Sequence, residues 1–207
     1  MKKVCVKTLM ILILMACVFC GKMYYEQQAY LEKEVSDNEE TIKKDKMKKV
    51  YINASWSYNY GDVQELAENS DIVARVIVKS NGVANDSGLQ VPETNYDVEV
   101  VENILGGKEG DVITLQMTGG IKQDCIYEVI DDPLMKKGEE YIIFARKTKS
   151  GEYITLSGSQ GRMEYKDNRI NSLNIVRKQV KENNLYSNIE CKDMSMKELK
   201  RKIKGDR

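Results

Sequence analysis

The chain has no histidine among its 207 residues. That absence excludes a Ser-His-Asp or Cys-His nucleophilic arrangement and a histidine-based zinc site. Cysteine is scarce beyond the N-terminus. After Cys5, Cys17 and Cys20 only Cys125 and Cys191 follow. They lack CxxC spacing, so a structural zinc site is not expected and no metal ligands are assigned. Outside the cytoplasm a Cys125–Cys191 disulfide is allowed; two separate thiols are the alternative. There is no excess of either charge: 32 basic residues face 32 acidic ones. Nucleic acid is therefore not an expected partner. A GK[ST] phosphate loop and internal repeats are missing too, and no cofactor is expected.

What is present begins at the first residue. Lys2, Lys3 and Lys7 precede twelve uninterrupted apolar residues, Leu9 to Cys20. A basic start before a short apolar core is the layout of a secretory signal. The cations stay on the cytoplasmic side while the apolar core enters the bilayer. Twelve residues fall short of the about 20 that a spanning helix needs. An uncleaved anchor over 4–21 has to include Lys7, whose long side chain can snorkel. Leu14-Met15-Ala16-Cys17 resembles the lipobox of bacterial lipoproteins, with an aliphatic residue three before the cysteine and a small one just before it. That resemblance implies lipidation of Cys17, which becomes the new first residue. Cys20 fits less well, because Phe19 fills the small-residue slot. Loss of residues 1–16 removes three lysines and no acid, leaving 29 basic and 32 acidic residues.

Three regions follow: an export or anchor segment (1–21), a polar stalk, helical or flexible (22–50), and a folded domain (51–207). The stalk is rich in Glu, Lys, Asp, Asn and Gln. Its basic run "KKDKMKK" (43–49), like "KELKRKIK" (197–204), reads as a solvated face, with anionic lipid headgroups as the sharper alternative. The domain opens on "YINASWSYNYGD", which places Tyr51, Trp56, Tyr58 and Tyr60 within ten residues. These aromatics either fold back on the core as a lid or first strand, or form a ligand-stacking surface.

Asp62 caps a short helix with Val63, Leu66 and Ala67 on one face. Period-two alternation then predicts strands. Ile72, Ala74, Val76 and Val78 share one face of the first; Tyr96, Val98 and Val100 share a face of the next. A polar loop (80–94) separates them. "VITLQM" is expected to end at Gly119-Gly120, and "CIYEVI" follows. "YIIFARK" is apolar without alternation, as suits a strand buried on both faces, with "SGEYITLSG" as its hairpin partner. "RMEYKDNRIN" reads as strand, tight turn at Asp167-Asn168, strand. Ser195 and Glu198 form a capping-box pattern before Met196, Leu199 and Ile203. That apolar stripe is expected to pack on the domain, with an amphipathic membrane contact as its rival.

The expected architecture is mainly β: a small OB-like barrel with short flanking helices. The segments "SDIVARVIV", "YDVEVVENILGG", "DPLMKKGEEYIIF" and "GSQGRMEY" also resemble small secreted or lipid-anchored Gram-positive bacterial proteins of unknown function. In outline these are similar to the netrin-like, OB-type domain of metalloproteinase inhibitors. The likeness covers roughly half the chain, from about 70 to 170, in turns, glycines and core positions. The inhibitors work through a cysteine at the mature N-terminus, which a lipidated Cys17 cannot imitate. The resemblance therefore implies a fold and no site.

Catalytic candidates are confined to acid pairs: Asp97 with Glu99, Asp131 with Asp132, and Glu139 with Glu140. Neighbouring strand residues diverge, and Asp97 and Glu99 share a solvent face, so none of these is assigned as catalytic. Gly158, Gln160 and Gly161 mark either a turn or a place where a ligand nears the backbone. The expected function is a binding or interaction module at the extracytoplasmic face of the cell membrane, held by lipid or an N-terminal helix, with a protein partner in the envelope. A carboxylate-dependent hydrolase and a structural envelope component are the alternatives.

Overall fold

The computed structural model describes residues 22–23, 26–27, 47–85, 88–173, 189 and 191–205. The apolar run with Cys17 and Cys20, and Cys5 before it, lie outside them, as does most of the polar stretch. The chain divides into two units, Met1–Met47 and Lys48–Arg207. In the first, Lys22, Met23, Glu26 and Gln27 are helical, and Lys22 pairs with Glu26 one turn on at 3.7 Å. Among the described residues no helix is long and apolar enough to cross a membrane.

The second unit is a β-barrel with extensions. Its strands are β1 (Lys48–Ile52), β2 (Ile72–Val78), β3 (Val83–Asn85), β4 (Glu93–Leu105), β5 (Val112–Lys122), β6 (Cys125–Val129), β7 (Glu140–Lys147), β8 (Tyr153–Thr155), β9 (Arg162–Lys166) and β10 (Arg169–Ser172). Two helices flank them, α1 (Val63–Glu68) and α2 (Met196–Ile203). β2 lies between β4 and β7, so that Val76 pairs with Val100 on one side and Tyr141 on the other. β4 continues to β5, and β7 to β8. The short β8 then pairs in parallel with β5 at Leu115 and Gln116, closing a five-stranded barrel. β6 and β1 extend the sheet beyond β5; β9 and β10 extend it beyond β7.

The alternating positions fill the barrel. Ile72, Ala74, Val76 and Val78 meet Tyr96, Val98, Val100, Leu115 and Met117 in its core. β7 is buried on both faces, as its unbroken apolar run predicts. Tyr141, Ile143 and Ala145 enter the barrel, while Ile142 and Phe144 enter a second core under the helices. That second core takes Leu66 from α1 and Leu199 from α2, both fully buried. The stripe on α2 therefore packs on the domain. Both helix caps form as their sequences predict: Asp62 accepts from the Glu65 amide at 2.8 Å and Ser195 from the Glu198 amide at 3.2 Å. The Asp167-Asn168 turn holds both residues at positive φ, 52° and 60°, joining β9 to β10.

Several expectations change. β1 begins at Lys48, so three residues of the polar stretch belong to the sheet. β3 forms inside the loop 80–94 and pairs with the start of β4. β5 does not stop at Gly119-Gly120 but continues to Lys122. Both glycines lie at positive φ, 111° and 143°, and a side chain on Gly120 would collide with Thr94 Oγ1. Cys125 and Cys191 are thiols and not a disulfide. Cys191 is held in the second core by its amide, which donates to Ser172 Oγ at 2.8 Å. Cys125 sits on the β5–β6 hairpin opposite Lys122.

Candidate functional site

The residues between β1 and α1 run as an irregular arm held against two loops, 130–134 and 156–161. Neither loop continues a strand. Pro133 has no amide hydrogen to give a ladder, and Ser157 and Gly158 adopt left-handed backbone, φ 48° and 53°. The arm thus brings together the two stretches that stand out in the sequence, the aromatic cluster and "GSQG".

Trp56 lies half-buried on this platform. Its indole Nε1 donates to Asp131 Oδ2 at 3.1 Å. Its ring occupies the space a side chain would need at Gly158, where a Cβ would stand 2.2 Å from Cζ2. Ser157 Oγ donates to the Tyr58 carbonyl at 2.5 Å. Gln160 is buried, and its amide reads the arm's backbone as a neighbouring strand would. Its Oε1 accepts from the Tyr60 amide at 3.1 Å, and its Nε2 donates to the Tyr60 carbonyl at 3.3 Å and to Asn59 Oδ1. Tyr58 is exposed, its hydroxyl donating to Glu65 Oε1 at 2.6 Å. That hydrogen bond, with one from the Gly61 amide, holds the Glu65 carboxyl below the usual carboxylate range and raises the Tyr58 hydroxyl.

The aromatic cluster does not form one surface. Tyr60 is buried in the second core and offers nothing to a ligand; its neighbours Val63 and Leu66 on α1 draw it inward. Tyr51, on β1, and Tyr58 are the exposed members, at 59% and 54%. Trp56 has one face against Gly158.

Beneath the arm lies a pair that the sequence pattern does not single out. Arg162 at the start of β9 is fully buried, and its Nη2 stands 2.8 Å from Asp132 Oδ1, itself 3% exposed. The same Nη2 donates to the Pro133 carbonyl. Nη1 reaches Met117 Sδ at 3.6 Å, and the guanidinium stacks over the Tyr141 ring, 4.9 Å from its centre. Among the described residues Arg162 Nε has no hydrogen-bond partner. Burial pushes the Asp132 carboxyl up, against the pull of Arg162. Burial also raises the hydroxyls of Tyr96 and Tyr141, with Arg162 opposing. The pair ties the loop that holds Trp56 to the strand that follows Gln160. The sequence signal is an arginine at an inward position beside "MEY", which alternation alone does not separate from a surface charge.

The members of the acid pairs are engaged separately. Asp131 and Asp132 diverge, to Trp56 and Arg162. Asp97 and Glu99 sit on the outer face, Glu99 paired with Lys79 at 2.9 Å. Glu139 accepts from the Tyr141 hydroxyl at 2.5 Å, and Glu140 pairs with Arg75 at 2.7 Å. Among the described residues no group of three or more His, Cys, Asp and Glu side chains could hold a metal ion.

The packing of Trp56 on Gly158 gives a direct test. Trp56 is the single tryptophan of the chain, so its emission reports the arm. Gly158→Val is expected to displace the indole, shift its emission to the red and cost about 1–3 kcal/mol. Gly138→Ala also falls at positive φ but in open space, and should leave the emission unchanged. No protein-family model matches this chain, and no curated protein matches it in sequence.

Proposed function

We propose that the protein is a binding module tethered to the extracytoplasmic face of the cell membrane. The observation that carries this reading is Leu14-Met15-Ala16-Cys17 at the end of a short apolar run behind a basic start. A diacylglyceryl group on Cys17 supplies two acyl chains, enough for stable anchoring where one is marginal. The barrel supports the rest. Its loops hold an arm that presents Tyr51 and Tyr58 to solvent, and tyrosine gives large amphipathic contact area at low entropic cost. The partner is a protein of the envelope, met through these side chains.

Photo-reactive side chains at positions 51, 58 and, as control, 112 test this in intact cells. Val112 is equally exposed, at 61%, but lies on β5 away from the arm. The reading predicts a discrete adduct from 51 or 58 and none from 112. It also predicts that a membrane-impermeant amine reagent modifies the domain without cell lysis. Equal adducts from all three positions would sink the binding surface; protection from the reagent would sink the location.

A further inference from the structure

We propose that residues 48–60 form an exchangeable arm, and that the surface beneath it accepts the same arm from a second copy of this chain. This does not rest on the membrane tether. The surface comprises the edge of β6, the loop carrying Asp131, and the turn from Ser157 to Gly161. The occupant it fits is on view, because the arm of the same chain is seated there.

Three features make the arm separable. First, nothing before Tyr60 in this segment is buried, whereas β2 and β7 bury most of their side chains. The arm is held by the β1–β6 ladder, by polar contacts to its backbone, by Trp56 on Gly158 and Asp131, and at its root by Tyr60 in the second core. Secondly, β1 joins β6 in parallel, Lys48 beside Cys125 and Ile52 beside Val129. No tight turn links these strands, so local connectivity does not dictate which copy supplies β1. Thirdly, the root of the arm is a residue with no side chain, Gly61, set between Tyr60 and the helix cap Asp62 and fastened only through its amide, which donates to Glu65 Oε2 at 2.6 Å.

The recognition is indifferent to its source. Gln160 and Ser157 bind main-chain groups of residues 58 and 60, Gly158 receives the indole, and Asp131 receives its N–H. Each of these interactions, broken when the arm opens, forms again in the exchanged pair, which is why swapping is a low-cost route to dimers. Thirteen extended residues span about 43 Å, enough to reach an adjacent copy.

The native Cys125 provides the test. Adjacent strands place Lys48 and Cys125 about 4.8 Å apart, a span a disulfide can close. Two full-length copies with different tags are co-expressed. One carries Lys48→Cys and Cys125→Ser; the other retains Cys125 and Lys48. After mild oxidation of unfractionated cells, arm exchange predicts a linked pair of unlike copies, with the peptide containing position 48 joined to that containing Cys125. Ile52→Cys in place of Lys48→Cys is four residues out of register and should give no such peptide. Lys48→Cys in a chain that keeps Cys125 should also close within the chain. Linkage within chains only would overturn the proposal, as would equal linkage from 48 and 52. Failure of the intrachain link would remove the β1–β6 ladder, and the proposal with it.

Discussion

Arg162→Met lowers the stability of the domain by about 3–5 kcal/mol at neutral pH, the range for removing one partner of a buried ion pair. The substitution keeps an unbranched apolar stem of similar length. It removes the charge beside Asp132, the donor to the Pro133 carbonyl and the cation over Tyr141. Asp132→Asn is expected to cost less. It withdraws a charge that burial already disfavours, and the amide oxygen still faces the guanidinium. The pH dependence separates lost charge from lost packing. The Asp132 carboxyl is raised above its ordinary value by burial and raised further once Arg162 is gone. Between the ordinary and the raised value the folded state binds more protons than the unfolded one. Stability in that window therefore falls as pH rises. The deficit of Arg162→Met should shrink as the pH falls from neutral toward the ordinary carboxylate value, because protonation neutralises the stranded carboxylate. Denaturant unfolding across that range checks this. A deficit independent of pH would mean that Arg162 acts through packing alone.

Much of the barrel is legible in the sequence because its strands alternate. Tyr96, Val98 and Val100 have to share a face, and an apolar run such as 141–145 has to be covered on both sides. Local chemistry is legible for the same reason: the Asp62 and Ser195 caps and the Asp167-Asn168 turn depend on neighbours in sequence. Pairings between distant segments are not. Nothing in "KKVYI" says that it joins β6 in parallel, and nothing in "YIT" says that it closes the barrel against β5. Gly119-Gly120 reads as a terminus because glycine pairs usually end strands; here Thr94 and the Tyr127 carbonyl crowd them and leave no room for a side chain. The site is half visible. The aromatic cluster and "GSQG" are both conspicuous, but their meeting across about a hundred residues is not. Arg162 is invisible as a core residue, since a buried arginine declares itself only through the partner that folding brings to it.

Cys17→Ala should change the protein as completely as any single substitution can, because it removes the only atom that the tether reading assigns to the lipid, Cys17 Sγ. In that reading the thiolate attacks the glyceryl carbon of a membrane phospholipid, forming the C–S thioether as the C–O bond breaks and the phosphate headgroup leaves; hydrolysis of the peptide bond before Cys17 then removes the three N-terminal lysines with the rest of 1–16. The alanine variant can do neither and keeps its full length. Twelve apolar residues leave that uncleaved chain with a poor anchor against the about 20 needed to span. The measurement is the intact mass of membrane-extracted protein, wild type beside Cys17→Ala. The account predicts residues 17–207 plus a diacylglyceryl group for the wild type, and residues 1–207 without lipid for the variant. Two unprocessed chains differing only by the substituted side chain would contradict it.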